Sequence, residues 1–265
     1  MDIKETLETT QLLEMVSRFV RKDSNQKLLE HSMQFIGNVT NSGIESVVRE
    51  RLLKNGIFHE VYEIVKIACE KLLAINMLSM SDKDHITQKE CIELINSGIW
   101  LFSNLMKGTP FPPVEYYETL YCKVVEIVVF LTKFSLNDVQ EFEIVCCLLN
   151  FLKAENDTKN SKRIDFLMQQ PNFVINLLGV GNKAIKSKES KVVLITVHLF
   201  GFISAFDYGE ENDYISRIIF DGICEFLIYS FTLDNVNFDK YAAFVLSNIF
   251  TEKSEHLYKI LKNQS

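Results

Sequence analysis

The sequence predicts an all-α fold assembled from repeated helical units. Three observations point there. Only 10 Gly and 4 Pro occur in 265 residues, and helices exclude both from their interiors. Apolar residues recur at helical spacing almost throughout. One short pattern also returns along the chain: an apolar run, a small or polar residue, Asn, then an aliphatic or aromatic residue.

The elements follow in order. Leu12, Leu13, Val16, Phe19 and Val20 keep the i, i+3, i+4, i+7 spacing of one helix face, as do Leu52, Leu53, Phe58, Val61, Tyr62, Ile64 and Val65. Ser79 to Gln88 is polar and reads as an inserted surface loop. Tyr117 to Phe134 is apolar on several sides. Its Val and Ile content also suits a strand, but its length and lack of turn residues favour a buried helix. A helix start near Glu115 to Glu118, just after Pro112-Pro113, fits that reading.

The recurring pattern centres on Asn38, Asn104, Asn150, Gly201 and Asn248, at intervals of about 66, 46, 51 and 47 residues. Units of about 40–47 residues characterise armadillo and HEAT arrays. A second pattern precedes it: a short apolar helix end, then Asn55-Gly56, Gln170-Pro171 or Asp221-Gly222, then another apolar helix. Gly supplies the left-handed backbone that ends a helix, and Pro starts the next one. Each unit is therefore a short helix, a sharp turn, a second helix, a loop and a longer third helix carrying the Asn. The expectation is one armadillo-repeat domain over 1–265, of five to six repeats, wound as a right-handed superhelical solenoid with an inserted loop near 79–88.

Composition excludes several function classes. The net charge is −7, opposite to the basic stripe of nucleic-acid binders. The N-terminal MDIKETLETT has no signal-peptide pattern, and no apolar run approaches about 18 uncharged residues, so neither secretion nor a membrane span is expected. The six Cys lie mostly in apolar runs without CxxC spacing, as expected of a reducing compartment. His31, His59, His85, His198 and His256 are scattered, and no HExxH, GxSxG or P-loop motif occurs. No enzyme, cofactor or metal site is expected. Cys146-Cys147 read as core packing and His198 as a satisfied core histidine. Lys183 to Lys191 (KAIKSKESK) reads as a solvated inter-repeat loop, with a docking patch for an acidic partner as its rival.

Ile99 to Leu120 (IWLFSNLMKGTPFPPVEYYETL) resembles a repeat of importin-alpha, the nuclear-import adaptor, where a Trp-x-x-x-Asn pair precedes a basic residue and a Pro-rich link. Gln34 to Val61, the segment around Asn150, HLFGFISAFDYGEENDYISRIIFDGI and AAFVLSNIFTEKSEHLYKIL resemble successive repeats of that family, two to seven in all, without its importin-beta-binding segment. The resemblance implies a concave groove lined by third helices. There Asn amides hold the backbone of an extended basic peptide, the nuclear localisation signal of a cargo protein. Trp rings stack on its cationic stems, and acidic residues pair with its charges. Asn offers donor and acceptor to a peptide unit, and an aromatic face attracts a cation while covering its stem.

Carried over by position, Asn38, Asn104 and Asn248 stand at groove Asn positions, Asn150 where the family often has Tyr, and Gly201 where it has Asn. Trp100 keeps the Trp, and Phe244 is a smaller aromatic there. Gln34 and Cys146 fall at Trp positions, Val197 at an Arg and Ser42 at a key Asp. Glu143 and Asp207 match acidic positions. Trp100 and Asn104, four residues apart, would share one helix face. Trp100 can equally be a packing residue and Asn104 a helix cap. The resemblance further implies residence in cytoplasm and nucleus and leaves an importin-beta-type carrier open as a partner. The alternative function is an armadillo interaction scaffold that has lost signal binding.

Overall fold

The computed structural model describes residues 11–21, 24–41, 46–76, 82–106, 118–132, 137–153, 157–205, 214–233 and 236–263. Among them the regular structure is α-helix apart from a 3-10 turn over Phe231–Leu233. The chain packs as two compact units, Met1–Val128 and Val129–Ser265.

In the first unit a short helix, α1, covers 11–17. It is followed by α2 (Gln26–Asn41), α3 (Ser46–Lys54), α4 (Ile57–Asn76) and α5 (Asp82–Met106). α5 packs on α4 and on α2. The Phe58 and Phe102 rings join α4 to α5 with centroids 4.7 Å apart. Helix α6 (Glu118–Leu131) carries the apolar run for which helix and strand competed. Val124, Val125, Val128 and Val129 are all buried in it.

The second unit continues with α7 (Asp138–Lys153), α8 (Asp157–Gln169), α9 (Phe173–Ser187), α10 (Ser190–Ser204), α11 (Tyr214–Phe220), α12 (Ile223–Ser230) and α13 (Val236–Asn263). α10 lies between α7 and α13, and α9 packs on α10 and α12. Helix α7 opens on a reciprocal cap. The Gln140 backbone N–H donates to Asn137 Oδ1 (3.0 Å), and the Asn137 N–H donates to Gln140 Oε1 (2.9 Å).

The expected short–second–third succession appears as α3-α4-α5, α8-α9-α10 and α11-α12-α13. Each short helix turns into the second through one left-handed residue: Gly56 (φ 82°), Asn172 (φ 57°) and Gly222 (φ 105°). In the middle turn Asn takes the role that Gly has in the others, one residue after the Pro read as the break. A side chain at Gly222 is strained whatever space surrounds it, so Gly222→Ala should cost about 1 kcal/mol in urea unfolding, while Asn172→Gly should be neutral or stabilising. First helices also cap earlier ones. Arg163 Nη1 donates to the Phe151 carbonyl (3.0 Å) near the end of α7, and Arg217 Nη1 to the Met168 carbonyl near the end of α8.

Two expectations are corrected. The surface loop expected near 79–88 is helix from Asp82 onward, as the first turns of α5; 79–81 lie outside the described residues, as do Pro112 and Pro113. The polar run contains no Gly or Pro, and its Lys and Gln are good helix formers. Likewise, Lys183 to Ser187 belong to α9, and only Lys188 and Glu189 separate it from α10. Lys188 takes φ 61°, and the Glu189 N–H returns to the Ala184 carbonyl at 2.8 Å.

Candidate peptide-binding face

The recurring positions fall one on each long helix: Asn38 on α2, Asn104 on α5, Asn150 on α7, Gly201 on α10 and Asn248 on α13. These are the third helices, and within each unit consecutive ones touch.

In the first unit, Asn38 and Gln34 are exposed on α2. Trp100 is half-buried, its ring lying against Gly37. A Cβ on Gly37 would sit 2.5 Å from the ring, so the missing side chain is what lets α5 close on α2. Trp100 is thus in part a packing residue. Asn104 is 0% exposed. Neither its Nδ2 nor its Oδ1 has a hydrogen-bond partner. Trp100 and Asn104 therefore do not present one open face: the ring reaches the surface and the amide is inside. A buried unpaired amide costs about 1–3 kcal/mol relative to an apolar group of its shape. Asn104→Leu should accordingly raise the unfolding free energy by about 1 kcal/mol in urea titration.

In the second unit the face is more open. Glu143, Cys146, Asn150 and Lys153 are half-buried along one side of α7. On α10, His198 and Phe202 are half-buried, while Gly201 and Val197 are buried. On α13, Phe244 is 47% exposed. Its ring lies 3.5 Å from where a Cβ of Gly201 would stand, so the phenylalanine covers the position where the pattern lacks its Asn. Asn248 is half-buried, and its Nδ2 donates to Ser204 Oγ on α10 at 3.1 Å. That bond uses one of the amide's two N–H groups and leaves its carbonyl oxygen available. Asp207 lies outside the described residues, as does Ser42.

Two neighbours complete this seam. His198 stacks on Tyr241 of α13 with centroids 4.7 Å apart and tilts against Phe202 at 5.5 Å. It was expected in the core; it is instead half-buried between two third helices. Burial and the Lys153 charge both lower its pKa. Lys153 Nζ sits 5.7 Å from the Phe202 ring centroid, reaching from α7 to α10. Burial lowers its pKa too. Lys153 lies three residues after Asn150 on α7 and His198 four before Phe202 on α10, but their meeting depends on inter-helix register.

Among the described residues no group of His, Cys, Asp or Glu could hold a metal ion. No described helix is long and apolar enough to cross a membrane. The six Cys form no disulfide; Cys122 is exposed, Cys146 and Cys224 are half-buried, and the other three are buried. Burial pushes the Cys147 thiol well above the usual range and Cys69 up to about 12, disfavouring the thiolate in both.

No family model and no curated protein matches the sequence. Solved structures match the fold. An engineered protein from a structural genomics consortium superposes with TM-score 0.61 at 15% identity, covering 89% of this chain and 78% of its own. A designed armadillo repeat protein in complex with the peptide (KR)4 superposes with TM-score 0.53 at 14% identity, covering 89% and 99%. The fold is an all-α armadillo-type repeat. Asn38, Asn104, Asn150, Gly201 and Asn248 therefore mark the third helices of successive armadillo units.

Proposed function

We propose that this chain is an armadillo-type interaction scaffold that binds an extended polypeptide across its third helices and performs no chemistry on it. The observation that carries this reading is the seam of α7, α10 and α13. Asn150, Phe202, Tyr241, Phe244 and Asn248 come from three consecutive third helices and all reach the surface. Amides that can hold a backbone thus alternate with aromatic faces that can cover side chains, which is what a site for an extended chain requires.

A second reading is the import adaptor, with a basic cargo signal and an importin-beta-type carrier as partners and residence in cytoplasm and nucleus. Its support is the similarity to a designed repeat protein that holds (KR)4, together with Glu143 on α7 and the net charge of −7. Fluorescence anisotropy separates the two. The adaptor requires an alternating Lys-Arg octapeptide to bind at about micromolar Kd and to weaken by about tenfold in Asn248→Ala. A scaffold without signal binding shows no response to that peptide at about 100 µM. It still binds other extended peptides through the same asparagine.

A further inference from the structure

Among the described residues, the seam between α7, α10 and α13 places a cation where a basic-peptide groove would receive one. Lys153 already occupies the cation position over the Phe202 ring, 5.7 Å from its centroid. It is half-buried, and no carboxylate among the described residues pairs with it. His198 is close enough for the lysine charge, after burial, to disfavour its protonation. Glu143, the acid on the same side of α7, lies ten residues earlier, about 15 Å along the helix axis. A lysine or arginine of a ligand arriving at Phe202 would meet a like charge and find the ring taken. A carboxylate would meet an ammonium that has no carboxylate partner among the described residues.

We propose that this face recognises an acidic-apolar segment. A carboxylate of the bound peptide pairs with Lys153 Nζ, and the apolar side chains flanking it lie on Phe202, Tyr241 and Phe244. This rests on the third helices being the peptide-binding face, and it names the chemistry of the partner there. Partial desolvation strengthens the pair relative to an exposed one. The aromatic triad makes the flanking residues apolar rather than charged, because a ring that already holds Lys153 gains little from a second cation.

Three labelled peptides test it by anisotropy on the full chain: a nonapeptide with glutamates interleaved among leucine and phenylalanine, the same peptide with glutamine for glutamate, and an alternating Lys-Arg octapeptide. The glutamate peptide should bind about tenfold more tightly than its glutamine counterpart. Lys153→Gln should remove that difference, and Lys153→Arg should retain it. Unchanged thermal unfolding of both variants shows that the fold is intact. Equal affinity for the glutamate and glutamine peptides, or a preference indifferent to Lys153→Gln, overturns the inference. If the Lys-Arg peptide alone binds, the peptide-binding face stands and its acidic preference falls. If none of the three binds at about 100 µM, both fall.

Discussion

Phe226→Ala is expected to lower the unfolding free energy by about 4 kcal/mol, the largest effect of any single truncation discussed for this chain. The ring is fully buried on α12. It meets Phe200 of α10 at 6.3 Å between centroids, and it fills the space beside α9 where Gly181 has no side chain. A Cβ on Gly181 would stand 2.5 Å from the ring. One aromatic therefore joins the second helices of two successive armadillo units and the third helix between them. Its removal leaves a cavity that three helices must collapse to fill. The converse change, Gly181→Ala, forces the ring aside and should cost about 1–3 kcal/mol. Combined with Phe226→Leu, its cost should shrink by about 1 kcal/mol, because the two substitutions act on one contact. Urea unfolding of the two single variants and the double variant measures that coupling.

The second large effect concerns Glu141, whose side chain is 3% exposed. Its Oε1 accepts from Lys183 Nζ of α9 at 2.7 Å, and its Oε2 is buried without a partner. Burial raises the Glu141 pKa, opposed by the hydrogen bond and charge of Lys183. Lys183→Met removes the cation bonded to this desolvated carboxylate and should cost about 2 kcal/mol at pH 7. The pH dependence has a definite sign. With a folded pKa above the unfolded value of about 4.3, the native state binds the proton first, so acidification through that window favours folding. The deficit of Lys183→Met relative to the parent should therefore narrow as the pH falls from 7 towards about 5. Replacing both partners, Glu141→Leu with Lys183→Met, should return stability to within about 1 kcal/mol of the parent. Chemical denaturation across pH checks all three statements.

Much of the frame was legible because repetition is a property of sequence. Five spaced positions identified five third helices, and two Gly turns and one Gln-Pro turn marked where first helices end. Turn chemistry without Gly was harder to read. Lys188 and Asn172 take left-handed conformations that only their surroundings impose. Asp82 to Gln88 looked like loop because it is polar, yet polarity without a helix breaker describes an exposed helix face. The Asn137–Gln140 cap corresponds to an N-x-x-Q signature before an apolar run. The candidate face was legible by helix but not by depth. The four-residue spacing puts Trp100 and Asn104 on one side of α5; whether that side is open depends on packing around it, and Gly37 draws the ring inward. Lys153 over Phe202 and His198 against Tyr241 depend on the register of helices some forty to fifty residues apart, which no local pattern encodes.

The central claim is that an extended polypeptide lies across the third helices of the second unit. The most direct measurement is the side-chain amide spectrum of Asn150 and Asn248, recorded by 1H–15N TROSY on addition of whichever test peptide binds most tightly. The account predicts that both amide pairs shift with the bound fraction, and that Phe244→Ser and Asn248→Ala each weaken the peptide about tenfold without loss of fold. A peptide that binds while both amides stay in place, with affinity indifferent to those two substitutions, would contradict it.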